Sequence, residues 1–101
     1  MPLLRISYPR ANALLQRQTD AIPLLNGMGR NWYATAAGDV VGCVLPARDA
    51  WRFVLFSRDG RGAYLKVADN SGYESDAAAY EALAAERLKM LPPPPDSPVG
   101  K

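Results

Sequence analysis

Two β-type runs separated by a turn-forming segment constrain the fold of this chain more than any other feature of its sequence. Residues 51–57 read Trp-Arg-Phe-Val-Leu-Phe-Ser, and a second run covers residues 63–69. Aromatic and β-branched residues of this kind favour strands. Between the runs lies Asp59-Gly60, a dipeptide typical of a two-residue type I′ turn. The sequence therefore predicts an antiparallel hairpin here.

A two-residue turn at Asp59-Gly60 would fix the register of this hairpin, with Leu55 opposite Tyr64. Side chains alternate between the two faces of a strand, so the register also assigns each side chain to a face. One face would carry Val54, Phe56, Leu65 and Val67. The other would carry Trp51, Phe53, Leu55, Tyr64 and Lys66.

A second hairpin is predicted just before the first. Residues 31–37 and 40–45 flank Gly38-Asp39, a plausible turn with glycine in its first position. One face of this hairpin would carry Trp32, Ala34, Ala36, Val41, Cys43 and Leu45. Pro46 would end the last strand, because proline has no N–H to donate to a ladder. The two hairpins together predict a four-stranded antiparallel meander.

A helix is predicted after the sheet, over about residues 76–91, with Ser75 as its N-cap. Its interior is rich in good helix formers. An apolar stripe would comprise Ala77, Tyr80, Ala84, Leu88 and Leu91, which recur at spacings of three and four. The solvent side would carry Glu74, Glu81, Arg87 and Lys89. This helix is expected to cover the aliphatic face that contains Val54 and Phe56.

The segments at the two ends of the chain complete the predicted architecture. Residues 3–8 fit a short strand, and residues 10–22 fit a helix that Pro23 would end. The prolines at 92–95 would stop the last helix, leaving residues 92–101 as a disordered proline-rich tail. We therefore expect one α+β domain over residues 1–91. It would be a four-stranded antiparallel β-meander with a C-terminal helix packed on one face and an N-terminal helical segment.

Few residues in the chain are suited to catalysis. Histidine is absent, which removes the commonest general base and the commonest metal ligand. Cys43 lies mid-strand with no neighbouring base, so it is expected to be a buried core residue. Asp39, Asp49, Asp59 and Asp69 recur every ten residues, but they fall at turns and strand ends, where aspartate binds local backbone. We expect no enzyme activity, no cofactor and no metal; a histidine-free enzyme that uses carboxylates is the catalytic alternative.

Composition indicates a cytoplasmic protein. One cysteine permits no internal disulfide, and no apolar run approaches the roughly 20 residues of a membrane-spanning helix. The first residues lack a signal-peptide pattern. The net charge of +2 does not by itself imply a nucleic-acid partner. Nine arginines against three lysines are typical of a GC-rich bacterial or phage genome.

The aromatic face of the first hairpin is the most informative candidate surface. Aromatic side chains with basic groups at their margin suit partner binding. The candidate binding residues are Trp51, Phe53, Tyr64, Lys66, Arg58 and Arg61. A small domain needs to bury most of its large aromatic side chains, which favours the other interpretation, that this face is a second core layer beneath residues 10–25. Any part of it left uncovered would favour homodimerisation.

These observations predict a small non-catalytic module that binds a protein partner. Its size, composition and lack of catalytic groups suggest an inhibitor or adaptor of a phage or mobile element. The alternative is a nucleic-acid-binding module, in which Arg52, Arg58, Arg61 and Lys66 would contact phosphates while Trp51 or Tyr64 stacks on bases. The sequence does not identify the partner in either case.

Overall fold

The computed structural model describes residues 3–27 and 29–89, which form an α+β fold as predicted. The described strands are β1 (Leu4–Ile6), β2 (Asn31–Ala34), β3 (Val40–Ala47), β4 (Ala50–Arg58) and β5 (Tyr64–Tyr73). The described helices are α1 (Tyr8–Leu15), α2 (Ile22–Leu25) and α3 (Asp76–Lys89), with a 3-10 turn at Thr19–Ala21. None of these helices is long and apolar enough to cross a membrane. Leu91 and the predicted tail over 92–101 lie outside the described residues.

The sheet has five strands in the order β1-β2-β3-β4-β5, so the prediction of four strands is wrong. Every neighbouring pair is antiparallel. The added strand is β1, in which Arg5 lies opposite Tyr33 of β2. The short strand predicted over residues 3–8 is present as Leu4–Ile6, but its three residues give too little alternation to predict that it joins the sheet. It pairs the edge of β2 that the four-stranded prediction left open.

The connection between β4 and β5 is a five-residue loop over residues 59–63. The carboxylate of Asp59 accepts hydrogen bonds from the backbone N–H groups of Arg61 at 2.8 Å and Ala63 at 3.0 Å. Gly62, and not Gly60, has a positive φ, of 85°. The predicted type I′ turn at Asp59-Gly60 is therefore wrong. An acceptor side chain at the first position and a left-handed glycine at the fourth stabilise the longer loop.

This longer loop shifts the pairing of β5 by three residues. Tyr64 lies opposite Arg58, whereas the predicted register placed it opposite Leu55. An odd shift moves side chains to the other face of a sheet. Tyr64 and Lys66 consequently lie on the face opposite to that of Phe53. The prediction that all three share one face is wrong.

The β2–β3 hairpin keeps its predicted face although its loop also differs. Trp32 lies opposite Cys43, and Ala34 opposite Val41. The predicted turn would have placed Ala34 opposite Cys43, so the shift is two residues and leaves the faces unchanged. Ala36 is exposed in the loop rather than in the strand.

The strand β3 continues through Pro46, contrary to the prediction that proline ends it. Pro46 lies opposite Trp51, and a two-residue turn at Arg48 and Asp49 leads into β4. Arg48 has a φ of 58°, which permits this tight turn. Proline is tolerated here because it lies at the end of the ladder.

The helices cover the two faces of the sheet in the reverse of the predicted arrangement. The α3 face, covered by α3, buries Val40, Val44, Phe53 and Leu55 beneath Ala79 and Leu83. The N-helix face, covered by α1, the 3-10 turn and α2, buries Trp32, Ala34, Val41, Cys43, Leu45, Val54 and Phe56. The C-terminal helix therefore does not cover Val54 and Phe56. Because β5 is shifted by three residues, its aliphatic side chains do not lie on the same face as Val54 and Phe56.

The helix α3 begins as predicted but presents a different side to the sheet. The hydroxyl oxygen of Ser75 accepts a hydrogen bond from the backbone N–H of Ala78 at 3.0 Å, which confirms the N-cap. The buried residues of the described helix are Ala79, Leu83 and Arg87, and none of them belongs to the predicted stripe. Leu88 is 67% exposed, whereas Arg87 is only 7% exposed. The predictions for these two residues are wrong, because alanines on every side give the helix no single apolar stripe.

The N-terminal helical segment is broken into pieces rather than forming one helix over residues 10–22. Pro23 lies in the first turn of α2 instead of ending a helix, a position where its missing N–H costs nothing. Ala11 and Leu15 are buried, but Ile22 is exposed. The break lets Leu24 and Leu25 reach the core in its place.

Candidate functional site

The six candidate binding residues do not form one surface. Phe53 is fully buried and Trp51 is half-buried on the α3 face. Tyr64 is half-buried on the opposite face. The exposed members are Lys66, Arg58 and Arg61.

The aromatic residues of the α3 face belong to a core layer. The ring centroids of Phe53 and Tyr73 lie 5.8 Å apart, and Trp51 packs against the same cluster. The interpretation that this face is a second core layer is therefore correct for Phe53 and Trp51. The prediction that residues 10–25 cover it is wrong, because α3 covers it. Phe53 could contact a partner only if the helix left the sheet.

Arg61 and Tyr64 border an open cleft of about 650 Å³ between the 59–63 loop and the segment that follows α1. We call it the Arg17–Arg61 cleft. Its described lining residues are Ala13, Leu14, Gln16, Arg17, Gln18, Thr19, Arg61, Gly62, Ala63 and Tyr64. Two of these are arginines, both exposed, and no carboxylate is among them. Arg17 was not among the residues predicted from the sequence, because only the folded chain brings it beside the hairpin loop.

One hydrogen bond joins the two segments that form the cleft walls, and two more hold the residues that make it. The side-chain amide of Gln18 donates to the carbonyl oxygen of Tyr64 at 2.6 Å. Its oxygen accepts from the backbone N–H of Asp20 at 2.7 Å. The hydroxyl of Tyr64 donates to the carbonyl oxygen of Gly38. These bonds lie within the chain itself and hold the cleft walls in place, so binding would require little reordering.

Two of the predicted basic residues are engaged within the chain by Asp69. Arg52 makes two hydrogen bonds to its carboxylate, at 2.7 and 2.6 Å. The Nζ atom of Lys66 lies 3.4 Å from the same carboxylate. The hydrogen bonds from Arg52 lower the pKa of Asp69, and those bonds raise the pKa of Arg52. Both cations of this cluster are therefore engaged with one carboxylate, and the cluster keeps a net charge of +1.

The surroundings of Cys43 and Asp39 shift the pKa values of their side chains in opposite directions. Burial raises the pKa of Cys43 to about 12, so the thiol stays protonated at neutral pH. The Thr35 hydroxyl donates to Asp39 and lowers the pKa of that carboxyl group. Within residues 3–27 and 29–89, no three cysteine or acidic side chains come together to hold a metal ion.

Comparison of the chain with protein-family models, with curated proteins and with solved structures finds no match. The geometry of the described residues is therefore the basis for a functional proposal.

Proposed function

We propose that this chain is a cytoplasmic, non-catalytic binding module that holds an acidic segment of a protein partner in the Arg17–Arg61 cleft. The observation that carries the proposal is two exposed arginines on a cleft whose walls are joined by a hydrogen bond and whose described lining contains no carboxylate. A guanidinium group binds a carboxylate through two parallel hydrogen bonds, and its planar geometry makes this contact specific. An inhibitor or adaptor of a phage or mobile element would use such a site to hold its target.

The shape of the cleft supports a side chain or short segment as the bound group. Its walls come from the end of α1 and the 59–63 loop, and Gln18 and Tyr64 hold them together. Fixed walls lower the entropy lost on binding. Arg17 and Arg61 can then each meet an acidic side chain of the partner.

Nucleic acid has weaker support as the ligand. Of the four basic groups assigned to phosphate contact, Arg52 and Lys66 already bind Asp69. Arg58 donates to the carbonyl oxygen of Ala37 at 3.5 Å. A nucleic-acid backbone is held by several neutralising contacts along a continuous basic track. Two guanidinium groups at one cleft suit a local acidic segment better.

A charge-reversal experiment tests the proposal. The probe is a fluorescein-labelled peptide of eight glutamates, and binding is measured by fluorescence anisotropy. The cleft variant carries Arg17→Glu and Arg61→Glu. The control carries Arg48→Glu and Lys89→Glu, two exposed residues outside the cleft lining, and has the same net charge. We expect the cleft variant to weaken binding by about tenfold or more and the control to stay within about twofold of the unaltered chain.

Two outcomes would contradict the proposal. The first is no binding of the glutamate peptide by the unaltered chain; the second is an equal loss in the cleft variant and the control. A single-stranded DNA of about 20 nucleotides is titrated in parallel. If it binds more tightly than the peptide and shows a steep salt dependence, the nucleic-acid function replaces the one proposed here.

A further inference from the structure

Beyond Tyr64, whose carbonyl oxygen accepts a hydrogen bond from Gln18, the outer edge of β5 is the longer open edge of the sheet. Ten residues form β5, against three in β1 at the opposite edge. No other strand of the described chain lies beside it. Leu65 and Val67 on this strand are 54% and 48% exposed. The backbone groups on such an edge are a template for pairing with another strand.

A bulge restricts which strand can pair with this edge. Lys66 lies opposite Phe56, and Ala68 lies opposite Leu55, so Val67 is an extra residue in β5. A regular strand would lose register on passing this point, which is how bulges guard an edge against indiscriminate pairing. A strand that contains the same extra residue can match the bulge, because the two segments then have equal length.

We propose that two copies of this chain associate by antiparallel pairing of their β5 strands, about a two-fold axis between Val67 and Ala68. In this register Lys66 lies opposite Asp69 of the second copy, and symmetry creates the same pair again. Opposite charges directly across two strands stabilise the pairing, and like charges there oppose it. The contact uses the same surface on both copies, so it closes after two chains.

The bulge also places paired residues on matching faces. Lys66 and Asp69 are three positions apart, a spacing that would put them on opposite faces of a regular strand. The extra residue corrects this, and their charged atoms lie 3.4 Å apart on one face. In the proposed register Leu65 lies opposite Asn70 of the second copy, and both belong to the α3 side of β5. In a different register, Lys66 would no longer lie opposite Asp69 of the second copy, and Leu65 would no longer lie opposite Asn70.

The charges around the axis would alternate in sign. Each Lys66 would lie between Asp69 of its own chain and Asp69 of the second copy. Arg52 adds a further cation beside each carboxylate, with its nearest contact at 2.6 Å. Every carboxylate near the axis would therefore face cations on both sides, with no like charge directly opposite it.

Complementary charge swaps test this interface, with oligomeric state measured by sedimentation velocity. Lys66→Glu puts two carboxylates opposite each other, and Asp69→Lys puts two ammonium groups opposite each other. Each variant alone should raise the dimer dissociation constant by about tenfold or more, and an equimolar mixture should restore association as a heterodimer. Lys89→Glu, the same charge change away from β5, should leave the dissociation constant unchanged.

A cross-strand disulfide gives a test that does not depend on charge. The variant with Leu65→Cys and Asn70→Cys should form a covalent dimer on oxidation, while Cys43 is buried and takes no part. The proposal is overturned if the unaltered chain is monomeric at about 1 mM, a concentration that would detect even weak association. It is equally overturned if the mixed charge variants stay monomeric or if no covalent dimer forms. The Arg17→Glu/Arg61→Glu variant should associate normally, which separates this inference from the cleft proposal.

Discussion

The two faces of the sheet are covered in different ways. On the α3 face a single 14-residue helix lies against the strands, and an added methyl group at Gly42 would come within 2.7 Å of Leu83. On the N-helix face, two short helices and a 3-10 turn together cover the strands. There, a side-chain hydrogen bond from Gln18 joins the helical segment to β5, and one from Tyr64 joins β5 to the loop between β2 and β3.

This difference shows what a short helix needs in order to stay in place. Helices of eight and four residues are marginal by themselves, because few backbone bonds offset the entropy of nucleation. Their position therefore depends on anchoring contacts such as the one between Gln18 and Tyr64. The longer α3 can depend on shape, with Leu83 filling the space that Gly42 leaves open. The polar anchors also create the cleft, so the candidate site lies where the cover is fragmented.

The largest expected effect concerns the close packing of α3. Leu83→Ala should lower the free energy of unfolding by about 2–5 kcal/mol, because it leaves a cavity in a fully buried layer. Gly42→Ala should lower it by about 1–3 kcal/mol through overpacking. The double variant should lose less than the two losses added, because the smaller side chain makes room for the new methyl group. Urea denaturation measures all three, and strict additivity would mean that this contact does not position the helix.

A smaller effect is expected at the loops beside the N-helix face. Gly38 has a φ of 75°, and an added methyl group would lie 3.3 Å from Cδ2 of Leu14. Gly38→Ala should therefore lower the free energy of unfolding by about 1–2 kcal/mol. Gly60→Ala is the matched control, with no positive φ and no atom within 4 Å of the added group, and should change it by less than about 0.5 kcal/mol. Equal losses in thermal melts would show that the loop over 59–63 is wrongly assigned.

The smallest effect is expected from pH and concerns Asp69 on the N-helix side of β5. Its folded pKa is lowered, so its contribution to stability is present above the unfolded pKa of about 4 and is lost as pH falls through the folded value. Asp39 should act in the same direction. Asp69→Asn should therefore reduce the loss of unfolding free energy between about pH 6 and pH 3. An unchanged slope would mean that the bonds to Arg52 do not persist in solution.

The fold could be predicted from the sequence where local signals were strong and where an error in register did not change the face of a strand. The strand over 40–45 and the N-cap at Ser75 could be predicted, because β-branched runs and capping residues act within a few positions. The face of the β2–β3 hairpin was correct despite a shifted register, since an even shift preserves faces. The same reasoning failed at Tyr64, where the shift was odd. One undetected loop preference, set by Asp59 and Gly62, was enough to reverse the predicted side of β5.

The candidate site was less predictable because it depends on contacts between distant residues. Arg17 and Arg61 are 44 positions apart in the chain and line the same cleft only when the broken N-terminal helix lies beside the hairpin loop. The orientation of α3 could not be predicted from the sequence for a related reason. Its many alanines fit against a sheet from several directions, and Leu83 is selected by the absence of a side chain at Gly42. Neither relation leaves a periodic signal in the sequence.

The burial of the single cysteine makes thiol labelling a probe of this protein's surface and of the opening of its core. Cys43 has no solvent exposure, and its pKa of about 12 leaves almost no thiolate at neutral pH. An alkylating dye added to the native chain should therefore mark only cysteines placed on the surface by design, with no need to remove the natural one. Slow labelling of Cys43 itself would then time how often the interior opens.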